Sequence, residues 1–470
     1  MTGAEDHCGV VAAWGPDAGH VALDVLKGLQ HRGRESAGIA GYTAAGRFFK
    51  EVGMGTLDKA IDIAMIPHSA QVAIGHSRYS TAAESSIEHA QPIGGGHNEW
   101  VVGHNGDVPN FLGHGVSDST IVHSVVEDQM RKGHNIVEAL HWLMSVADGA
   151  YSITGLLKDG TIVAARDPQG FKPLCVGRIG QNIVVASETV GITHTNSAVG
   201  WAPRRDAEVL FHVKPGEMAW VDRRGNLSKK TLVEGKRVTT CAFEYAYFAR
   251  KETEIDGVSV GDFRYRMGEL LADKAAKEGV AADIVVPVLG SGEEYAKGYA
   301  SRSRLPLVKA LIKNSDERVF IGPDASKRAA IARTVHNVLN ELVRGKRVVV
   351  TDDSIVRGDT STAIVEMLWE AQAKEVHMLV GYWAVRYPCY EGIAFHGAGE
   401  LIAAERTVDD VREMIKSTTL IFPEEEEYKR VLGRNDLCSA CHTGDHPLSE
   451  STLRRIHEVG FRTKRQPIRT

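Results

Sequence analysis

The hydrophobic rhythm of this 470-residue chain changes once, near residues 228–240, and that change limits what the chain can fold into. Before it stand short β-type runs, CGVVAAW, SAGIAGYT, QVAIGHS, WVVGHNG, AYSITGLL, TIVAARD, NIVVASE and GEMAWVD, separated by turns containing Gly and Asp. Two helical stretches, His20–His31 and Asp118–Val146, interrupt them. Many short strands with a few helices to cover their sheets predict a layered α+β domain. After the change, ADIVVPVLG, PLVKALI, RVVVTDD and VHMLVGYW are near-continuous apolar runs with helical segments between them. That is the pattern of a parallel sheet buried on both faces, so the fold class expected is α+β followed by α/β.

Charge and cysteine usage narrow the function classes. With 55 Lys and Arg against 60 Asp and Glu, the formal net charge of -5 argues against non-specific binding to nucleic acid or to acidic membranes. The basic tail Arg454–Arg469 reads as a solvated terminus. No apolar run approaches the roughly 18 residues of a membrane span, and MTGAEDH carries two acids where a signal peptide has bases. A cytoplasmic protein is expected, with no membrane and no nucleic-acid partner. Six cysteines are too few for a secreted disulfide scaffold, so each is core, nucleophile or metal ligand.

Cys8 follows MTGAEDH and opens the first expected strand. Freed of that leader it carries both a thiol and an α-amine, and an amine with a pKa of about 8 can take up the thiol proton without a second side chain. A buried strand cysteine has the same local sequence, and only its company separates the two readings. HRGRESAGIAGY (His31–Tyr42), GHSRYST (Gly75–Thr81), HNGD (His104–Asp107) and SDS (Ser117–Ser119) stand in the order and context of class II glutamine amidotransferases. With GAYSITGL, ARDPQGFKPLCVG and VASETVGI, the chain resembles the glutamine phosphoribosylpyrophosphate amidotransferases from Cys8 to about Thr443.

The resemblance implies a leader over 1–7 and an N-terminal-nucleophile hydrolase domain, layered αββα, over 8–237. Cys8 would attack the side-chain amide of glutamine. Asn105 and the N–H of Gly106 would form the oxyanion hole, Arg78 would hold the glutamine α-carboxylate and Asp118 its α-ammonium. Two departures stand out. The family's Asn-Gly-Asn becomes Asn105-Gly106-Asp107, and the segment onward to Asp118 is shorter than the usual pattern, so one rim of the pocket is expected to be rebuilt.

RVVVTDDSIVRGDTST (Arg347–Thr362) is an apolar strand running into two acids, a Gly-containing turn and the helix AIVEMLWEA. At the C-terminal end of a strand Asp352 and Asp353 can reach ribose hydroxyls or Mg²⁺, while N–H groups of the turn and helix N-terminus cradle a phosphate. The string resembles the substrate-binding motif of type I phosphoribosyltransferases. That resemblance implies an α/β transferase domain over 238–430, with Ser354, Arg357, Gly358, Asp359, Thr360, Ser361 and Lys313 on the phosphosugar. Ser291 would join Asp352 and Asp353 in holding Mg²⁺. The pyrophosphate loop departs from the family, because VVPVLGSGEEYAKGYA carries Glu293 and Glu294, which repel a pyrophosphate unless they turn outward. After Lys313-Asn314, Arg318 is the only base in SDERVFIG, and ARTVHNVL offers Arg333 and His336 where the family has a lysine.

Cys241, Cys389 and the pair Cys438-Ser-Ala-Cys441 make a ligand set suited to zinc or to an iron–sulfur cluster, and spacing leaves both open. One branch of the family binds a structural [4Fe–4S] cluster through four cysteines in these contexts and also begins with a short leader. The resemblance therefore implies a cluster that ties the tail, 431–470, onto the transferase domain. Cys175 reads as core.

The activity implied is glutamine hydrolysis at Cys8, with the ammonia passing inward to displace pyrophosphate from phosphoribosylpyrophosphate. The product, 5-phosphoribosylamine, opens purine synthesis, and the family's members are homo-oligomers, dimers or tetramers. Two other readings stay open: a paralogue aminating a different phosphosugar, and a regulatory protein with a degraded transferase site. Intact Cys8, Asn105 and Asp352-Asp353 favour catalysis; the acidic loop favours a changed ligand.

Overall fold

The structure, a computed structural model, describes residues 8–79, 86–114, 116–197, 200–235, 237–313, 336–393 and 398–459. The leader, the end of GHSRYST, Arg318, Arg333 and the last basic residues of the tail lie outside the described residues.

The strand Gly9–Trp14 is built of glycine, valine, alanine and tryptophan and runs through the middle of a seven-stranded sheet. It pairs antiparallel with Ala70–Arg78 on one side and with Asn182–Ala186 on the other. Its alternation does two jobs. Val11 and Ala13 pack against the helix Ala18–Gly28, whereas Val10 and Ala12 face Val101, Leu156 and Ile162 of a second, five-stranded sheet. The outer face of that second sheet is covered by the helices Asp118–Arg131 and Ile136–Val146. The layers are therefore helix, sheet, sheet, helix, as the resemblance implies.

The helical stretch expected over Asp118–Val146 is two helices. Gly133 takes φ 95°, and Asn135 begins the second helix with a side chain that accepts from Glu138 N while Glu138 reaches back to the Asn135 N–H. In the two large sheets of the first half, four strands lie outside the runs read from sequence: Phe48–Met54, Cys175–Ile179, Ala207–His212 and Leu227–Thr231. Three of them are sheet edges, and exposure there interrupts the apolar alternation.

The second half holds a parallel sheet in the order Ile284–Pro287, Arg347–Asp352, Glu375–Val380, Thr419–Ile421. PLVKALI does not join it as a full strand. Leu307 makes one parallel bridge to Val285, and Leu311–Lys313 pairs antiparallel with His336–Val338 instead. Pro306 has no N–H to give a ladder, and Leu307 and Ile312 are exposed.

Several side-chain contacts fasten the halves. Arg166 makes a two-pronged pair with Asp256 at 2.8 and 3.1 Å, and Asp256 also receives Arg434 at 3.1 Å. Thr240–Cys241 pairs in parallel with Leu437–Cys438, stitching the late chain onto the start of the second half. From there the chain returns to the first domain as the helix Glu450–Val459, in which Ile456 is buried. The tail from Arg454 to Val459 is thus helical, with Ile456 packed inward and Arg454, His457 and Glu458 in solvent. Among the described residues no helix is long and apolar enough to cross a membrane.

Candidate functional site

Strand pairing places the first constellation. Gly9 lies opposite Ser77, which sets the half-buried Cys8 thiol 3.8 Å from the Tyr79 carbonyl. The Cys8 N–H donates to Asn105 Oδ1 at 3.1 Å. That leaves Asn105 Nδ2 buried with no hydrogen-bond partner among the described residues. An unpaired buried donor costs about 1–3 kcal/mol, and beside a nucleophile it has the chemistry of a group kept for an oxyanion. Gly106, at φ 149°, is where the strand Trp100–Asp107 presses on its neighbour, and a Cβ there would overlap the Ala150 carbonyl. Asp118 opens its helix and accepts from Val108 N at 3.1 Å and Ser119 N at 2.8 Å, closing the ends of the shortened segment. Arg78 ends its strand beside Tyr79 and donates to Glu35 at 2.7 Å, with both side chains largely buried.

Sequence reasoning assigns no role to Arg32, yet it fixes the backbone of Cys8. Its Nε donates to the Cys8 carbonyl at 3.1 Å, and its other nitrogens hold Glu188 at 2.5 Å and both oxygens of Glu244 at 2.9 and 3.1 Å. All three side chains are fully buried. Burial alone would push Glu188 up, but His31, Arg32 and Thr253 hold it at about 2. The only hint in the sequence is a run of charges inside an otherwise small and apolar string, HRGRESAGIAGY.

His76 and His104 lie beneath this site. His76 Nε2 meets the His104 carbonyl at 3.0 Å, His104 Nδ1 meets Ser119 Oγ at 2.8 Å, and Gln91 Oε1 accepts from His104 N at 2.7 Å. Burial pushes the rings down to about 3 and about 4. Both are neutral at pH 7, and because the unfolded rings titrate near 6.5, their share of stability is complete above that pH and falls as the pH drops toward 4. The expected loss is about 1.4 kcal/mol per pH unit for each ring. Thermal unfolding between pH 7 and pH 4.5 should show it, and His76→Gln should flatten the slope; an unchanged slope contradicts this assignment.

The second constellation sits at the C-terminal end of Arg347–Asp352. Asp352 and Asp353 are fully buried. Burial and, for Asp352, the neighbouring carboxylate raise both above the usual carboxylate range. Asp353 accepts from Ser291 and, at 2.5 Å, from Ser354. Gly358, at φ 84°, turns the chain into the helix Asp359–Glu370, where Thr360 and Ser361 are buried and Thr360 Oγ1 has no partner among the described residues. Arg357 pairs with Glu400 at 2.7 Å. Lys313 ends its strand, and its side chain lies outside what is described. The two acids of the loop are neutralised: Glu294 takes Lys297 at 2.7 Å and Lys251 at 3.0 Å, and Glu293 takes Lys309 at 3.4 Å.

The four cysteines of the third set come together. Cys241 lies in register with Cys438, and Cys241, Cys389 and Cys441 share one apolar core with Tyr382, Trp383 and Tyr428. Tyr382 Oη is 3.2 Å from Cys441 Sγ. Burial pushes all four thiols up, Cys241 to about 11 and Cys441 to about 12, and Cys241 adds to the shift of each of the other three. None forms a disulfide. Cys175 is core, its thiol against the Ala186 carbonyl at 3.3 Å.

No protein-family model matches the sequence. The chain is 38% identical over 467 residues to the amidophosphoribosyltransferase of Archaeoglobus fulgidus, with 94% of this chain and 98% of that one covered. It is 33% identical over 472 residues to the amidophosphoribosyltransferase of Bacillus subtilis, with 95% of each covered. Among solved structures, the glutamine phosphoribosylpyrophosphate amidotransferase from B. subtilis complexed with ADP and GMP superposes with a TM-score of 0.81 at 32% identity, over 94% of this chain and 98% of that one.

Proposed function

The chain belongs to the amidophosphoribosyltransferase family, and from that premise we propose that its first two constellations are the two half-sites of one reaction. It is a glutamine amidotransferase and pentosyltransferase that makes 5-phosphoribosylamine at the first step of purine synthesis. In our reading Cys8 attacks the glutamine amide, and Asn105 Nδ2 with the Gly106 N–H receives the oxyanion. Arg78 and Asp118 hold the two ends of the amino acid. We read residues 1–7 as a leader whose removal frees the Cys8 amine, and a mature mass lacking MTGAEDH checks it.

The observation that carries the transferase half is the buried Asp352-Asp353 pair. Two adjacent carboxylates raised by burial, Asp352 also by its neighbour, are a site that a divalent cation relieves, so the pair fits Mg²⁺, with Ser291 and Ser354 orienting Asp353. Bound there, Mg²⁺ would neutralise the leaving pyrophosphate. Thr360, Ser361 and the N–H groups after Gly358 would take the 5′-phosphate. The lysine partners of Glu293 and Glu294 answer the charge objection raised by that loop, one of the three arguments for a different phosphosugar; Arg318 and Arg333, which carry the other two, lie outside the described residues. The experiment is pyrophosphate release from phosphoribosylpyrophosphate with Mg²⁺ and ammonium, which bypasses Cys8; release at enzyme-like rates supports the reading, and none defeats it.

For the cysteines we propose a [4Fe–4S] cluster. Zinc bonds of about 2.3 Å would draw four sulfurs to about 3.8 Å of one another. Among the described residues no three of the four sulfurs lie within 4.8 Å of one another, which supports a cluster over zinc. A buried cluster would also offset the cost of four buried thiolates and tie residues 431–459 to the transferase domain. Protein purified without oxygen should be brown with matching iron and acid-labile sulfide, and Cys438→Ser should lose both; stoichiometric zinc refutes the cluster. We further propose a cytoplasmic homo-oligomer. Exposed Leu307, Ile312, Leu339 and Leu342, on or beside one short antiparallel pair, support self-association, which light scattering measures.

A further inference from the structure

The shortened segment between Asp107 and Asp118 has an unexpected neighbour, the helix Glu450–Val459. Arg455 donates to the Leu112 carbonyl through Nε at 2.8 Å and again through Nη2, which also meets His114 Nε2 at 3.0 Å. Ile456 is buried, and Gly113 lies against Val459 and Arg455. At the helix N-terminus, Asp148 Oδ2 accepts from Ser449 N at 2.9 Å, Ser449 Oγ at 2.6 Å and Thr452 Oγ1 at 2.6 Å.

Asp148 is itself tied to the same segment. Its N–H donates to Asn110 Oδ1 at 2.9 Å, and Asn110 Nδ2 donates to the Val146 carbonyl at 2.7 Å. Two residues on, Ala150 pairs with Asp107, next to the oxyanion residues. At the other end Val108 N donates to Asp118 Oδ2. The links close a ring that runs from Asp107 through Leu112, Arg455, the helix and Asp148, and back to Ala150. The late helix thus packs against the outside of this segment at Leu112, Gly113 and His114.

We propose that the helix Glu450–Val459, through Arg455 and the Asp148 cap, holds the segment from Val108 to His114, whose first N–H meets Asp118, in the shape that recognises glutamine. Arg455 is then a positioning residue for the glutamine pocket and touches no substrate. This rests on the reading of Cys8, Asn105 and Asp118 as the glutamine site.

Three proteins are compared: the wild type, Arg455→Ala and Arg455→Lys. Loss of a charged donor to a half-buried carbonyl should raise the KM for glutamine about tenfold in Arg455→Ala. Ammonium-supported pyrophosphate release should not change, and Arg455→Lys, which keeps one donor, should recover part of the loss. An unchanged glutamine KM overturns the proposal. So does an equal fall of glutamine- and ammonium-supported rates, because a merely structural helix would lower both. Wild-type protein that forms no glutamate from glutamine would overturn the underlying reading and the proposal with it.

Discussion

Cys8→Ala is expected to lower glutamine-supported pyrophosphate release about a thousandfold or more while leaving ammonium-supported release intact. In the proposed reaction the thiol at the start of the strand Gly9–Trp14 is the nucleophile, and the described groups it meets, the Tyr79 carbonyl and the Asn105 amide, cannot replace it. Asn105 and Arg78 could still bind glutamine, so the variant should retain affinity and lose turnover. Ammonium enters after the step that Cys8 performs. Parallel assays with the two nitrogen sources read the difference, and equal losses in both would show that Cys8 holds up the fold instead of doing chemistry.

Asp353→Asn should act on the other half with the opposite signature in stability. Ser291 and Ser354 donate to different oxygens of Asp353, so the variant keeps an acceptor for one and turns an amide N–H toward the other, whose hydroxyl oxygen can accept it, while removing one of two buried carboxylates. The raised carboxyls favour the neutral form in the folded state, so their charge costs stability as the pH rises above the usual carboxylate range. Metal-free Asp353→Asn should therefore melt above the wild type, while pyrophosphate release with either nitrogen source falls on the order of 10²-fold or more through loss of Mg²⁺ binding. Added Mg²⁺ should raise the melting temperature of the wild type and not of the variant. A variant that melts lower, or still responds to Mg²⁺, would remove Asp353 from the site.

Much of both half-sites is legible in the sequence because each is local. Cys8 stands at the edge of one strand, Asn105 and Gly106 adjoin in another, and Asp352 to Ser361 is a single strand, turn and helix start. What sequence reading misses is partnership across distance. Arg32 and Glu244 are separated by 212 positions, and no spacing rule joins them. Glu293 and Glu294 look hostile to a pyrophosphate only while Lys251 and Lys309 are out of view. The late helix is hidden for the same reason, since a stretch rich in arginine reads as solvated until the Leu112 carbonyl is seen against Arg455. Gly133 and Asn135 are the converse case: the break between the two helices is written locally as a glycine and a capping residue.

The most direct measurement of the central claim, that one chain couples both half-sites, is the ratio of glutamate formed to pyrophosphate released by the intact protein with glutamine, phosphoribosylpyrophosphate and Mg²⁺. Coupled half-sites give one glutamate for each pyrophosphate. Glutamate formed without pyrophosphate, or pyrophosphate released only when ammonium is added, would contradict the account.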